Sequence, residues 1–206
     1  VHIDKKHILK WINQFNPDDR EIVLNELLYI LPNSYLTEEN TLRIFKNEFE
    51  ILSKNFGYKS VEKFLDKSRF IDCQKVGKSQ KILLEIIRKI LLENYNYDIK
   101  QCGRKGVENW IYIDDVLASG GTFREDITEE IESFGVKNFK DSNIKIISSF
   151  FILHTWAVKN VPFAIEQKFK KDYDIKFEFK ERMKFYRVAE IDNNPYYHHY
   201  FNSNPR

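Results

Sequence analysis

Apolar residues in the first third of the chain recur at helical spacing. Asn16 precedes Pro17 and two acidic residues, a pattern that indicates a helix start because asparagine caps the helix and proline fits its first position. The apolar residues that follow are Ile22, Leu24, Leu27, Leu28 and Leu31. A second helix is predicted from Thr37 to Gly57, with Leu42, Phe45, Phe49, Leu52 and Phe56 at three-four intervals. Both stripes are typical of packing against a sheet or a neighbouring subunit, and a groove for a partner protein is the alternative.

From Arg69 onward the pattern changes to short apolar strands that alternate with amphipathic helices. We predict strands near 69–73, 97–101, 110–114, 144–153 and 175–180, and helices at about 79–95, 123–134 and 160–171. This alternation predicts an α/β fold with a mainly parallel sheet flanked by helices, preceded by an N-terminal helical segment. We therefore divide the chain into a helical segment, residues 1–66, packed on the core, and an α/β domain, residues 67–206, that ends in an aromatic tail.

The predicted strand 110–114 ends in two adjacent carboxylates, Asp114 and Asp115. Neighbouring like charges repel and each is costly to desolvate, so the pair has no structural use in a buried strand and indicates a ligand. A turn follows at Ala118, Ser119, Gly120, Gly121 and Thr122. Its two glycines leave backbone N–H groups uncovered, and its two hydroxyl side chains add donors where a helix begins. The segment predicts an anion site at the carboxyl end of a central strand, where open α/β sheets bind ligands.

The segment from Ile111 to Thr122 resembles the phosphoribosyl pyrophosphate (PRPP) motif of type I phosphoribosyltransferases, in which apolar residues precede Asp-Asp, three variable positions and Thr-Gly-Gly-Thr. Ser119 is the departure, and serine retains the hydroxyl of threonine. The resemblance implies that Asp114 and Asp115 contact the ribose hydroxyls, directly or through Mg²⁺, while the turn holds the 5′-phosphate. It also implies transfer of phosphoribose to a nitrogen acceptor with release of pyrophosphate. A module that senses PRPP without turning it over is the alternative.

A second candidate segment, residues 72–80, lies between the first predicted strand and its helix. Gly77 permits close backbone approach, Lys78 supplies a positive charge, and Ser79 is suited to capping the helix. The segment is not a Walker-type nucleotide loop, because Asp72 stands where that motif requires glycine. By its position it resembles the pyrophosphate loop of the same family, and an ordinary capped turn is the alternative. The implied pyrophosphate ligands are Val76, Gly77, Lys78 and Ser79.

The acidic pair also has a rival interpretation, because Tyr112 to Asp115 resembles the Tyr-x-Asp-Asp hairpin of reverse transcriptases. In that hairpin the two carboxylates hold metal ions for nucleotidyl transfer. Such a polymerase needs a further aspartate upstream, and its hairpin leaves the glycine turn after the acids unexplained. We therefore favour the phosphate-binding interpretation.

Four further groups of polar or aromatic residues are candidates for function. Residues 101–106 hold two glycines and two cations where the family often has a mobile loop over pyrophosphate, with a solvated turn as the alternative. Basic and aromatic residues interleave from 168 to 187, which suits a polynucleotide surface or, as we favour, a half-buried strand. His154 and Trp156 follow the predicted strand 144–153. We favour a position at the edge of the core for them, and stacking on a base or on the acceptor of the reaction is the alternative. His198 and His199 are adjacent, which makes them a poor chelating pair.

Composition sets the class of protein and its surroundings. The 206 residues include 33 basic and 31 acidic side chains, so the net charge of +2 does not indicate a nucleic-acid or membrane surface. Cys73 and Cys102 do not make a disulfide framework, and no apolar run reaches the roughly 20 residues of a membrane span. We expect a cytoplasmic homo- or hetero-oligomer that binds PRPP or a related phosphorylated ribose with Mg²⁺ as cofactor. Because the first residue is valine, we also expect a segment trimmed from a longer protein.

The stretch from Trp11 to Leu28, ahead of a divergent phosphoribosyltransferase core, resembles a group of predicted bacterial proteins encoded in conflict and phage-defence loci. This resemblance implies a defence effector that works beside other subunits. It also implies that the acceptor is a nucleotide or a macromolecule.

Overall fold

The structure is a computed structural model that describes residues 4–34, 37–75 and 78–191. The helices are α1 (Lys5–Ile12), α2 (Arg20–Ser34), α3 (Glu38–Asn55), α4 (Val61–Leu65), α5 (Ser79–Tyr95), α6 (Gly121–Phe134), α7 (Val136–Asp141), α8 (Thr155–Tyr173) and α9 (Phe179–Arg182). The strands are β1 (Ser68–Phe70), β2 (Asn109–Leu117), β3 (Lys145–His154) and β4 (Met183–Ile191). Two short 3₁₀ helices lie at Pro17–Asp19 and Ile99–Gln101. The chain forms two compact units, Val1–Glu38 and Glu39–Arg206.

The four strands form one parallel sheet in the order β1-β2-β3-β4, so each strand pairs with the next one along the chain. Helices connect the strands and return the chain to the same end of the sheet, as parallel pairing requires. The carboxyl ends of all four strands therefore meet at one edge. The predicted α/β fold with a parallel sheet, flanked by helices and preceded by a helical segment, is confirmed.

Two neighbouring phenylalanines of β3 show how the helices are distributed over the faces of the sheet. Consecutive side chains of a strand point to opposite faces. Phe151 meets Phe45 of α3 with ring centroids 5.5 Å apart, whereas Phe150 meets Phe123 of α6 at 5.6 Å. Helices α3 and α6 therefore cover opposite faces of the sheet. The apolar stripe of α3 packs against the sheet as predicted.

Aromatic rings dominate the core on the α6 face of the sheet. Trp110 of β2 lies between Phe134 and Phe139, with centroid distances of 5.4 and 5.0 Å. The largest fully buried side chains of this cluster are Trp110, Tyr112, Phe139, Phe150, Phe169 and Phe179. Because such rings bury a large apolar area, this layer fixes β2 and its acidic pair against α6 and α7.

Two of the predicted strands are wrong. Residues 97–101 contain a 3₁₀ turn, because the Asp98 side chain accepts a hydrogen bond from the N–H of Lys100 and so favours a turn over an extended backbone. Residues 175–180 lead into α9, and the fourth strand begins later, at Met183. The N–H of Phe179 donates to the Glu166 carboxylate at 2.7 Å, which uses a donor that strand pairing would need.

The helix start predicted at Pro17 in the first unit is confirmed, although Asn16 makes no side-chain capping hydrogen bond. Leu28 and Ile22 of α2 are 74% and 64% exposed in the single chain. Packing of this apolar stripe against the sheet or a neighbouring subunit therefore stays a prediction.

Candidate active site at the carboxyl edge of the sheet

The acidic pair lies near the carboxyl end of β2, which runs to Leu117 and so extends three residues beyond the predicted strand end. Asp114 is buried, with 8% of its surface exposed, whereas the next residue, Asp115, is exposed. The burial of β2 changes between these two residues, since positions 109–114 are buried whereas Asp115 and Val116 are exposed. One carboxylate is thus held by the protein while its neighbour faces solvent.

The buried carboxylate of Asp114 accepts hydrogen bonds from the segment between β1 and α5 and from the first residue of α5. Gln74 donates its side-chain amide to Oδ2 at 2.7 Å, and Ser79 donates its hydroxyl to Oδ1 at 2.6 Å. The N–H of Asp115 also donates to Oδ1 at 2.9 Å. These donors offset the cost of burying a charge, so Asp114 keeps a fixed orientation.

The exposed carboxylate of Asp115 has the same serine within reach. The Ser79 hydroxyl lies 3.2 Å from Oδ1 of Asp115, and the N–H of Val116 donates to that same oxygen at 2.8 Å. Ser79 therefore stands between the two acids. The structure brings together Ser79, which the sequence assigned to pyrophosphate, and the pair that the sequence assigned to ribose.

The segment between β1 and α5 is fixed by a buried glutamine. The side-chain oxygen of Gln80 accepts the N–H groups of Cys73 and Gln74, at 3.2 and 3.1 Å. Lys78 is exposed and is the residue before the first turn of α5, where it makes no side-chain capping bond. Ser79, predicted as the cap, is the first helical residue and directs its hydroxyl to the acids instead. Val76 and Gly77 lie outside the described residues.

The predicted phosphate turn, residues 118–122, connects β2 to α6. Gly120 has a φ of +79° and is buried, while Ala118, Ser119 and Thr122 are exposed. Gly121 begins α6, and its N–H group points to the Ser119 hydroxyl at 3.4 Å. Because glycine stands at the N-cap, no side chain of the cap residue covers the N–H groups of the first turn. The arrangement suits an anion at the N-terminus of α6.

Sequence reasoning missed a hydrogen-bonded chain beneath the acidic pair. The hydroxyl of Tyr112 donates to Asp126 of α6 at 2.7 Å and accepts from the Gln74 amide at 3.0 Å. Burial, and then the hydrogen bond to Asp126, raises the pKa of Tyr112 well above its usual value. Two signals were available in the sequence: Tyr112 alternates with Asp114 on β2, and Asp126 adjoins the apolar face of α6. This chain orients the glutamine that holds Asp114.

The loop predicted as a lid over pyrophosphate lies at the opposite edge of the sheet. Residues 101–106 precede β2, and Gly103 donates its N–H to the carbonyl of Leu65, shortly before β1. Both cations of the loop bind the buried carboxylate of Asp66, with Arg104 Nε at 2.6 Å and Lys105 Nζ at 3.0 Å. The lid interpretation is therefore wrong, because these cations lie at the amino ends of the strands and the acidic pair at their carboxyl ends.

The remaining candidates take mainly structural positions. Phe169, Phe177 and Phe179 of the basic and aromatic segment are buried in the core, and Lys168 pairs with Glu132 and Asp172. His154 caps α8 by accepting the N–H of Trp156 at 3.2 Å, and the Trp156 side chain is 48% exposed. The aromatic tail 195–206, with His198 and His199, lies outside the described residues.

The reverse-transcriptase interpretation requires a β-hairpin at the acidic pair. Strand β2 instead pairs in parallel with both β1 and β3, and a turn and helix α6 follow it. A hairpin needs antiparallel neighbours, so the polymerase interpretation is wrong.

Among the residues that the structure describes, no three His, Cys, Asp or Glu side chains group as metal ligands. Within residues 4–34, 37–75 and 78–191, no helix combines the length and apolar character that crossing a bilayer requires.

Comparison with known proteins adds the family. No curated protein and no solved structure matches the chain. The family model PRTase-CE, by contrast, matches residues 8–204, a range that includes the acidic pair, the glycine turn and the segment between β1 and α5. The match thus covers nearly all of the 206 residues, and the chain belongs to the PRTase-CE family of phosphoribosyltransferase-like domains.

Proposed function

We propose that the protein binds PRPP or a related ribose 5-phosphate ligand and transfers phosphoribose to a nitrogen acceptor with release of pyrophosphate. One observation carries the proposal: a parallel strand brings two aspartates to the carboxyl edge of the sheet, directly before a glycine turn that opens a helix. The aspartates suit ribose hydroxyls, which are hydrogen-bond donors, and the turn suits the 5′-phosphate.

In the proposed reaction, the bond between ribose C1′ and the pyrophosphate oxygen breaks and the leaving group keeps the electron pair. A nitrogen of the acceptor then forms a bond to C1′ and releases a proton. Asp114 and Asp115 position the sugar, and the turn at residues 118–122 holds its phosphate. Lys78, exposed beside Ser79, supplies positive charge for the leaving pyrophosphate.

The acidic pair also fits Mg²⁺ as a cofactor. Mg²⁺ prefers hard oxygen ligands and keeps several water molecules, so it binds through one or two carboxylates together with substrate phosphates. Asp115 is exposed and Asp114 lies beside it, so the two residues would hold the ion directly or through water. An ion held by these two residues would supply positive charge that offsets the negative charge of the pyrophosphate group.

A calorimetric titration with PRPP and Mg²⁺ tests the binding step. The double variant Asp114→Asn with Asp115→Asn should lose PRPP affinity while its circular dichroism spectrum stays unchanged. The matched control is Asp18→Asn with Asp19→Asn, which makes the same change in charge at an Asp-Asp pair outside the site, where both residues are exposed. Equal affinity in the acidic-pair variant and the wild type would contradict the proposal.

A second assay separates a transferase from a module that only senses PRPP. The protein is incubated with PRPP, Mg²⁺ and candidate nitrogen acceptors, and pyrophosphate release is measured. Release that depends on both the acceptor and the acidic pair identifies a transferase. Tight PRPP binding without release across nucleobases, nucleotides and nucleic acids would favour the sensing module.

The defence role is proposed from the sequence resemblance of residues 11–28 and the core to proteins of bacterial conflict loci. It is tested by expressing the protein in bacteria and challenging them with phage. Protection should disappear in the Asp114→Asn, Asp115→Asn variant and persist in the Asp18→Asn, Asp19→Asn control. Equal protection by both variants would separate the defence role from this site.

A further inference from the structure

The hydroxyl of Ser79 occupies the position between the two acids that the proposed function assigns to the ribose hydroxyls. It lies 2.6 Å from Oδ1 of Asp114 and 3.2 Å from Oδ1 of Asp115. Gln74 takes the other oxygen of Asp114, at 2.7 Å. Gln74 and Ser79 together therefore provide side-chain partners for three of the four carboxylate oxygens.

One hydroxyl is a poorer partner for this pair than a ribose diol. A serine hydroxyl carries a single proton and can donate fully to one acceptor at a time, which matches the unequal distances to the two acids. The 2′- and 3′-hydroxyls of ribose carry two protons, one for each carboxylate. A ribose that binds to both acids must first displace the Ser79 hydroxyl from Asp114 and Asp115.

We propose that Ser79 determines specificity for PRPP over ribose 5-phosphate. When PRPP binds, the Ser79 hydroxyl gives up its hydrogen bonds to Asp114 and Asp115 and forms one to the pyrophosphate of the ligand instead. The inference rests on the proposed function. With PRPP, the displaced hydroxyl and the neighbouring Lys78 gain phosphate oxygens as partners, so the lost hydrogen bonds are replaced. With ribose 5-phosphate, which lacks the pyrophosphate, the displaced hydroxyl gains no such partner and the displacement weakens binding.

The position of Ser79 allows the exchange without unfolding the helix. Ser79 is the first residue of α5, and the helix has no side-chain capping bond from the preceding residue, Lys78. Turning the Ser79 hydroxyl away therefore breaks no such bond. A rotation of one side chain changes the direction of the hydroxyl while the backbone of α5 keeps its hydrogen bonds. Gln74 continues to hold Asp114 during the exchange, because its own segment is fixed by Gln80.

The test is calorimetric binding of ribose 5-phosphate and of PRPP, each with Mg²⁺, to the full chain and to Ser79→Ala. We expect the variant to bind ribose 5-phosphate about tenfold more tightly than the wild type, because a hydrogen bond to a charged group no longer competes with the sugar. PRPP should not bind more tightly, because it loses the contact with Ser79. The preference for PRPP therefore falls at least tenfold, by the same estimate.

Two control variants distinguish exchange from other roles of the serine. Ser79→Thr retains the hydroxyl and should keep the preference of the wild type. Ser119→Ala removes a hydroxyl from the turn that binds the phosphate common to both ligands, so it should weaken both equally. If Ser79→Ala weakens both ligands equally, or leaves ribose 5-phosphate binding unchanged, the exchange is overturned while the proposed function stands. If the wild type binds neither ligand, the proposed function fails and the exchange with it.

Discussion

Gly120 lies so close to Val161 of α8 that a Cβ atom at Gly120 would stand 2.2 Å from Cγ2 of Val161. Its φ of +79° is also a conformation that side chains with a Cβ rarely adopt. At Gly121 an added Cβ would meet only the Ser119 hydroxyl, at 3.7 Å. The two glycines of the turn therefore have different roles. Both the packing against Val161 and the backbone conformation require glycine at position 120. Neither of these constraints requires glycine at position 121.

The first prediction follows from this difference. Gly120→Ala should lower the free energy of unfolding by about 3 kcal/mol, from backbone strain together with a steric clash in a packed core. Gly121→Ala should leave it unchanged or raise it by up to about 1 kcal/mol, because the position is helical and has space. Urea denaturation of both variants measures the two values. Equal effects would show that the contact with Val161 does not restrict the turn.

A second prediction concerns Asp66, whose carboxylate is almost completely buried beside three donors. Burial by itself would raise its pKa, but hydrogen bonds from Lys105, Arg104 and Tyr97 prevail and lower the pKa to about 2. Because the folded pKa lies below the ordinary value, the stabilisation is present above about pH 4 and is lost as the pH falls towards 2.

Asp66→Asn should therefore lower the free energy of unfolding by about 2 kcal/mol at pH 7. The difference from wild type should shrink as the pH falls and vanish near pH 2. Denaturation curves recorded from pH 7 to pH 2 measure it, with the exposed Asp141→Asn as a control for the loss of one charge. A deficit that does not depend on pH would mean that Asp66 contributes through packing rather than through its charge.

A third prediction concerns Glu48, whose negative charge should lower the free energy of unfolding, whereas the charge of Asp66 raises it. Glu48 of α3 is half-buried and bonds to Ser149 of β3, while its Oε1 is buried and has no partner among the described residues. Burial raises the pKa of Glu48 to about 7, although the hydrogen bond from Ser149 lowers it. Folding therefore favours the protonated acid, and stability is lost as the pH rises from the ordinary glutamate range to about 7.

Glu48→Gln should raise the free energy of unfolding by up to about 3 kcal/mol at pH 8 and leave it nearly unchanged at pH 4. Glutamine is neutral at both values and keeps an oxygen for Ser149. Denaturation at the two pH values tests the prediction, with Glu39→Gln, at an exposed position of the same helix, as the control. A variant less stable than wild type at pH 8 would show that the charged form of Glu48 has a partner in the fold.

Sequence patterns predicted the regular parts of this fold because those parts follow from local periodicity. The α5 stripe, the apolar β2 and β3 strands and the glycine that ends α3 each carry their signal within about 20 residues. The prediction failed at Asp98 and Phe179, where one side chain takes the backbone N–H that a strand would use. Such a bond changes no periodicity, so hydropathy cannot show it.

The candidate site shows the same limit. Asp114 and Asp115 form a motif in sequence, and their place on β2 follows from the strand pattern. Gln74 and Ser79, which follow the neighbouring strand β1, reach Asp114 from 40 and 35 residues away. No sequence spacing encodes that contact, because it depends on how β1 pairs with β2. The loop at residues 101–106 is a second example. It is close to the acidic pair in sequence, but it precedes β2 and therefore lies at the other edge of the sheet.

The last prediction probes the hydrogen-bonded chain beneath Asp114 through a cysteine that adjoins it. Cys73 is half-buried beside Asp126. Burial, and then the charge of Asp126 and a hydrogen bond to it, raises the pKa of the Cys73 thiol to about 12. Asp126→Asn removes the negative charge and leaves the burial unchanged, so the pKa of Cys73 should fall while staying above its ordinary value. The thiolate fraction, and with it the alkylation rate, should rise severalfold at pH 9, since thiolate is the reactive form.

The measurement is the rate of iodoacetamide modification between pH 8 and pH 10 in a Cys102→Ser background, so that only Cys73 reacts. Asp141→Asn, at an exposed position on α7, is the control and should leave the rate unchanged. A general loosening of the fold would also expose Cys73, but it would lower the free energy of unfolding in urea denaturation as well. A rate that rises severalfold across this pH range in Asp126→Asn alone, without such a loss of stability, would place the charge of Asp126 next to the thiol. An unchanged rate would show that burial alone sets the pKa and that Asp126 serves Tyr112 only.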